Sequence, residues 1–466
     1  MTTHETDATT AGPATAHPRR WRILGFLGVA QLMLILDVTV VAIALPQMET
    51  DLGLSRAALT WTVSAYTLTF GGLMLLGGRI ADLLGAKRVV FAGLLVFTTA
   101  SLVTGLADSA GLLVGGRIAQ AVGAALLSPS ALSLVVALFD GNERNKALGV
   151  WSALGGGGAA LGVLAGGLLT AGPGWPWVFY VNVPIGLVIL AALARMLPRS
   201  TPVAPRARLD VLGALLVTGS SGAVIYALVN AGEHGWLTAT NAWMLALALV
   251  GYAVFVWWQR TARSPLMDVA LLARRPVATG TFLILTATAL MIAVFFLGTF
   301  YFQNANGYGA LHTGLLFLPV ALATMLGANL TGRALARVGA RGLAVTGLIA
   351  AAIGMAVPAL WMHPATVVVG VAIAAAGTGA IFVVASATAL GQVAPHETGI
   401  ASGIVSTFHE FGASLGAAVV SSIAAASLVG DTLGGFTDAF TVAAIAAAVA
   451  AAVAAVLTPG RSSATA

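Results

Sequence analysis

The chain has 466 residues, of which 59% are apolar and only 8% charged, whereas a soluble domain of that size needs about a quarter of its residues charged to cover its surface. Water is therefore excluded as the solvent for most of it, and with no cysteine neither a disulfide framework nor a thiolate metal site is available. The formal charge of +6 has to be placed relative to a membrane before it says anything about partners, and it points to no nucleic acid.

The chain opens on a polar stretch, Met1 to Pro18, which reads as part of a disordered tail over 1–21. From there, apolar runs of roughly 18 to 25 residues are each long enough to cross a bilayer as a helix. They predict spans over 22–48, 59–77, 88–106, 111–138, 146–170, 177–197, 209–230, 238–259, 277–302, 311–332, 341–362, 365–392, 400–425 and 436–457, fourteen in all. The runs are continuously apolar, which excludes the short alternating segments of a membrane barrel. The fold class expected is an all-α polytopic membrane protein.

Of the 22 Lys and Arg residues, all but Arg56 and Arg117 fall in the N-terminal tail, the even-numbered loops or the C-terminal tail. The positive-inside rule then expects both termini and every even loop in the cytoplasm. A preference for Ala, Gly and Arg over Lys suggests a high-GC bacterial genome, hence a plasma membrane.

An internal repeat shows when Gly78 to Lys87 is set beside Gly332 to Arg341, 254 residues on. At the same offset Glu143 falls on Glu397, Gly149 on Gly403, and Gly158 and Gly162 on Gly412 and Gly416. Several matches at one offset mark a duplication. The expected domains are an N-terminal six-helix bundle over 22–200, a linker with an inserted helix pair over 201–275, a C-terminal bundle over 276–457 and a cytoplasmic tail over 458–466. The inserted pair has no counterpart in the repeat and is expected to lie outside the two bundles. Duplicated bundles around a midplane site are the architecture of secondary transporters.

At these residues the chain resembles the major facilitator superfamily, and within it the fourteen-helix drug:proton antiporters, over nearly its whole length. Gly78 to Arg88 fits the superfamily's loop signature Gly-x-Leu-x-Asp-x-x-Gly-x-Lys-Arg with Ile80 for Leu. Leu36 to Pro46 is similar to the first-helix motif of this branch, with Ala42 where Asn is usual, and Arg117 to Gly123 to the fourth-helix motif, with Ala121 for Gly. In the fifth helix Gly158, Gly162, Gly166 and Gly167 match the antiporter motif, but Val163 stands where its proline belongs. Trp175 to Pro184 is similar to the segment that follows. The resemblance implies a major-facilitator fold and proton-driven export.

Asp37 lies mid-span, where a carboxylate costs a few kcal/mol unless it faces a cavity, finds a partner or takes up a proton. It is the leading candidate for proton coupling, the alternative being a fixed polar anchor between helices. Glu410, beside His409 in span 13, is a second candidate, for protonation or as counter-charge to a cationic substrate. Arg117 inside the bundle has to face an internal acid or water, and the resemblance implies that it relays protons or couples conformations. Gly78, Asp82, Gly85 and Arg88 read as a conformational gate, with Gly78 and Gly85 permitting a tight turn. Gly158, Gly162, Gly166 and Gly167 read as a close-packing seam, and Trp61, Tyr66, Phe295 and Phe296 as candidate walls of an apolar substrate pocket.

No phosphate-cradling loop and no cluster with metal-ligand spacing occurs in the sequence, so no enzyme activity, metal or cofactor is expected beyond the proton as coupling ion. The expected function is proton-coupled export of small amphipathic molecules by a monomer in the lipid bilayer. Proton-coupled uptake and a non-transporting membrane sensor remain as alternatives.

Overall fold

The computed structural model describes residues 19–197, 209–391, 393, 397–428 and 433–458. The tails expected over 1–21 and 458–466 lie mostly outside these residues. Among the described residues thirteen helices are long and apolar enough to span a bilayer: α1 Arg20–Leu52, α2 Arg56–Leu84, α3 Ala86–Gly105, α4 Ala110–Leu138, α6 Trp177–Met196, α7 Val211–His234, α8 Ala239–Thr261, α9 Arg275–Ala305, α10 Ala310–Val338, α11 Ala340–Leu360, α12 Pro364–Leu390, α13 Thr398–Ile423 and α14 Gly434–Leu457. Between α4 and α6 runs α5, Gly141–Ala171, whose Leu161–Ala171 part is apolar. With it the fourteen expected spans are all helical.

Local signals set the helix ends. Gly53, left-handed at φ 58°, closes α1, and the Ser55 hydroxyl accepts from Ala58 N to start α2, a cap worth about 1 kcal/mol. Asp210 does the same for α7 through Gly213 N at 2.8 Å. Its carboxylate also accepts from Trp258 Nε1 at 2.8 Å, Gln259 Nε2 at 2.6 Å and Leu266 N at 3.1 Å. Burial pushes this carboxyl up, but the four donated hydrogen bonds outweigh that and hold it below the usual range. The start of α7, the end of α8 and the connection to α9 are thereby tied together.

The repeat is visible as geometry. Gly85 and Gly339 join α2 to α3 and α10 to α11 with φ of 87° and 86°, a region that glycine alone enters freely. Arg20 pairs with Glu143 at 2.7 Å and Arg274 with Glu397 at 2.8 Å, both partners shifted by the same offset. Lys87 Nζ donates to Leu197 O at 2.6 Å, and its counterpart Arg341 Nε to Thr458 O at 2.8 Å. In each half a glycine face packs on the first helix of that half. A Cβ at Gly158 would stand 2.7 Å from Ile35 Cγ2, and one at Gly416 2.7 Å from Ala289 Cα.

The two halves meet along α2 and α13. Ser64 Oγ donates to Ser414 O at 3.2 Å, and Ser414 Oγ returns a hydrogen bond to Ser64 O at 3.0 Å. The inserted pair does not stand clear of this seam as expected. Leu68 of α2 and Ala418 of α13 share an apolar cluster with Ile225 and Val229 of α7, and nearer the termini Ala401 and Ile404 share another with Ala214 and Val217. Glu233 Oε1 accepts from Ala57 N at 3.3 Å, capping α2. Helix α7 thus lies astride both halves, because it offers small residues where they meet. Gly232 comes so close to α13 that a Cβ would stand 2.7 Å from Ser422 Cα.

At the end of the molecule opposite the termini a second tie joins the halves. Pro46 inside α1 cannot donate to the carbonyl four residues back, and its ring crowds that turn. One carbonyl further on, Ile43 O accepts from Gln303 Nε2 at 2.9 Å. Gln303 sits on a π-helical turn, Tyr301–Ala305, which re-aims its side chain across the seam, and Asn304 Nδ2 reaches Glu49 Oε2 at 3.3 Å. Gly167 of α5 likewise meets α10: a Cβ there would stand 3.2 Å from Leu311 Cα. Replacing Gln303 by Leu should open this end. With no native cysteine, Ala44→Cys, fully buried in the wild type, should react several-fold faster with maleimide in detergent when Gln303→Leu is added. An unchanged rate would show that the tie holds nothing.

Candidate transport site

The N-terminal half is built around one buried polar network. Arg117, on the face of α4 turned into the bundle, is 1% exposed and Asp37 of α1 is 2% exposed. Arg117 Nη1 forms an ion pair with Asp37 Oδ2. The guanidinium is satisfied further by Nη1 to Gln120 Oε1 at 3.1 Å and Nε to Thr62 O of α2 at 3.0 Å. Gln120 Nε2 donates to Asp37 Oδ1 at 3.2 Å and to Ser101 Oγ of α3 at 2.8 Å, and Asn182 Nδ2 of α6 reaches the same hydroxyl at 3.4 Å. The Tyr66 ring covers the guanidinium at 4.1 Å and the Phe179 ring lies at 5.9 Å, faces that favour a cation. Five helices therefore converge on one charge pair.

Sequence reasoning singled out both charges but not their union, and it missed Gln120, Ser101 and Asn182. Gln120 was findable, since it follows Arg117 by three residues and so shares its helix face. Ser101 and Asn182 gave no signal beyond being polar in apolar runs. Among the described residues the second half carries no such pair: the positions matching Asp37 and Arg117 by the repeat offset are Met291 and Val371.

Glu410 lies elsewhere, on α13 where it faces α2. A Cβ at Gly71 would stand 2.7 Å from Glu410 Cβ. Glu410 is 8% exposed and, among the described residues, has no ion pair. His409 is not its partner: its Nδ1 lies 3.0 Å from Thr288 Oγ1 of α9 and its ring 5.7 Å from that of Phe382, since successive residues on a helix point apart. Tyr66 stands within electrostatic reach of Asp37, Arg117 and Glu410 alike.

The gate and pocket residues are scattered. Gly85 makes the α2–α3 turn, but Gly78 does not. It lies inside α2, with Pro129 of α4 the nearest neighbour of a Cβ there at 3.7 Å, because the helix runs on to Leu84. Asp82 and Arg88 are both exposed on the flanking turns. Of the four aromatics, Trp61 packs against the α2–α7–α13 cluster and Tyr66 is taken up by Arg117. Phe295 and Phe296 fill the C-terminal core against Phe317 and Phe300, at 5.1 and 4.9 Å between rings, rather than an open wall. Val163, in the place of the motif proline, has its carbonyl oxygen 2.6 Å from where a Cβ on Gly314 would stand, so close approach of α10 is kept without the proline.

Asp37→Asn keeps the side-chain volume but leaves the guanidinium buried without its counter-charge, a loss of about 3–5 kcal/mol for a broken buried pair. The double variant Asp37→Asn/Arg117→Gln removes both charges and should recover much of that loss. Melting of the purified variants in detergent checks the ordering wild type, double, single. A single variant as stable as the wild type would show that the pair contributes nothing to the fold.

A sequence model of the Major Facilitator Superfamily matches residues 27–417. The chain is 40% identical to a puromycin resistance protein of Streptomyces alboniger, over 85% of this chain and 80% of that one. It is 36% identical to a cephamycin export protein of Amycolatopsis lactamdurans, over 83% and 81%, and 31% identical to a tetracenomycin C resistance and export protein of Streptomyces glaucescens, over 85% and 74%. Among solved structures it is similar to a peptide transporter of the POT family, with TM-score 0.67 at 16% identity over 94% of this chain and 97% of that one. A bacterial homologue of the lysosomal transporter Spinster, inward-facing and unoccupied, gives 0.63 at 16% identity over 96% and 97%. With its two six-helix bundles, inserted helix pair and buried charge network, the chain belongs to the Major Facilitator Superfamily.

Proposed function

We propose that this protein exports small amphipathic molecules, such as drugs, antibiotics or secondary metabolites, across the plasma membrane in exchange for protons. The observation that carries the reading is the Asp37–Arg117 pair, an ionisable couple buried among apolar spanning helices in one half only. Such a pair is costly to keep in hydrocarbon and marks an ion pathway. Relatives named for resistance and export support the direction. The distribution of basic residues supports cytoplasmic termini, so that the end closed by Gln303 and Asn304 faces outward and substrate enters from the cytoplasm.

A proton on Asp37 cancels its attraction for Arg117, whose guanidinium then relies on Gln120 and the Thr62 carbonyl alone. Helix α1, which bears Asp37, is the same helix whose far half is held by Gln303, so losing the pair leaves α1 held to the other half by that far tie and frees its middle from α4. The halves can then rock. Asp82, Gly85 and Arg88 would steer that motion at the cytoplasmic face, without chemistry on the substrate and without a cofactor. Each inward proton supplies about 1.4 kcal/mol per pH unit and about 2.3 kcal/mol per 100 mV, enough to sustain a substrate gradient by a monomer in the lipid bilayer.

Everted membrane vesicles with an acidic lumen test the reading. The wild type should load drug into the lumen, a protonophore should abolish loading, and the charge-free Asp37→Asn/Arg117→Gln variant should not load at all. Drug driven out of the lumen by the same gradient would establish uptake by symport instead, and loading by the double variant would remove Asp37 from the coupling.

A further inference from the structure

At the end opposite the termini the halves close on one another through uncharged polar groups. On the α2–α13 seam Ser64 and Ser414 exchange hydrogen bonds, and beyond them the hydroxyls of Thr60 and Ser421 meet. All four residues are buried. Towards the termini the same seam is apolar: Leu75 faces Gly403, and Leu73 and Leu76 pack on Ala401 and Ile404.

Where α1, α5 and α9 close the same end, polar groups are buried with nothing to bind. Thr170 Oγ1 of α5, Thr299 Oγ1 of α9 and Gln47 Oε1 of α1 have no hydrogen-bond partner among the described residues, and Thr170 is 4% and Thr299 0% exposed. The glycines of α5 meet α1 in register, Gly158 at Ile35, Gly162 at Thr39 and Gly166 at Ile43. The next turn brings Thr170 level with Gln47. Thr170 also shares the helix face of Gly167, which abuts Leu311 of α10 in the other half. Thr299 lies one turn before Gln303, whose amide crosses the halves to Ile43 O. A buried hydroxyl without a partner forfeits the hydrogen bonds that water gave it, so these groups oppose the closed end and are relieved when water reaches them.

We propose that this end opens into a water-filled exit passage walled by Thr60, Ser64, Thr170, Thr299 and Ser414, and that hydration of its polar groups drives the opening. The seam hydrogen bonds broken on opening are replaced by bonds to water at little net cost. Thr170, Thr299 and Gln47, by contrast, gain partners that they lack in the closed state. An amphipathic molecule that leaves the apolar stretch of the seam meets hydroxyls and water instead of an apolar wall, and its apolar part is held less tightly there. The passage rests on the export reading for the direction of release, and it adds to that reading the residues that let the cargo go.

Spin labels at Asp51→Cys and Ala305→Cys, exposed positions near the far ends of α1 and α9 in a chain without native cysteine, read the opening. Double electron–electron resonance on the purified full chain in lipid nanodiscs should give a short and a long distance. Thr170→Val and Thr299→Val keep the side-chain shape and remove the hydroxyl, and each should lower the long-to-short ratio about fivefold or more. Thr170→Ser and Thr299→Ser keep the hydroxyl and should stay within about twofold of the parent chain. A polyethylene glycol too large to enter the passage should lower the parent's ratio by withdrawing water. Valine variants within about twofold of the parent, serine variants that fall as far as the valine ones, a parent fixed at the short distance or a ratio indifferent to the polymer each overturn the proposal. Drug loading by wild-type vesicles would then leave the export reading standing. Shifts as stated in a chain that loads no drug support the hydrated passage and remove the export reading.

Discussion

A charge inside hydrocarbon has to be compensated where it stands, since neither water nor lipid will do it. In this protein that constraint is met once in full, at Asp37 and Arg117, and the N-terminal half is arranged to meet it. Helices α1 and α4 bring the charges, α2 a backbone carbonyl and a ring, α3 the hydroxyl that accepts from Gln120, and α6 the amide that donates to that hydroxyl. Separating any of these helices strands a polar group.

The C-terminal half shows what the same fold does without that charge pair. At the matching positions it holds Met291 and Val371, and its cohesion comes from apolar burial and from glycines that let helix backbones touch. Gly412 and Gly416 bring α13 onto α9 as Gly158 and Gly162 bring α5 onto α1. Two halves with one topology therefore differ in what holds them: one is centred on a buried charge pair, the other on apolar and glycine contacts. The inserted α7, astride α2 and α13, adds apolar area on both sides of the moving seam, so its length and sequence bear on how far the halves can part.

Away from the buried charge pair, ion pairs within a half obey the repeat, and the ties between halves do not. Arg20–Glu143 and Arg274–Glu397 are copies of one another, whereas Gln303 reaches Ile43 O from a π-helical turn in α9.

The number of spans, their helical nature and the duplication were legible in the sequence, because in a bilayer every backbone group has to be satisfied within its own segment. Periodicity and length then carry the fold without knowledge of neighbours. The turn glycine Gly85, the glycine face of α5 and the intramembrane acids were legible for the same reason: each is costly unless it has a use. Tertiary structure alone decided the pairings. It joined Asp37 to Arg117 across 80 residues, gave Glu410 no basic partner among the described residues, put Phe295 and Phe296 into the core, moved Gly78 into a helix and laid α7 across the seam. Nothing local marks which of two mid-span acids will meet a base, since that follows from how helices distant in sequence are rotated about their own axes, and that rotation is fixed by side-chain packing between them.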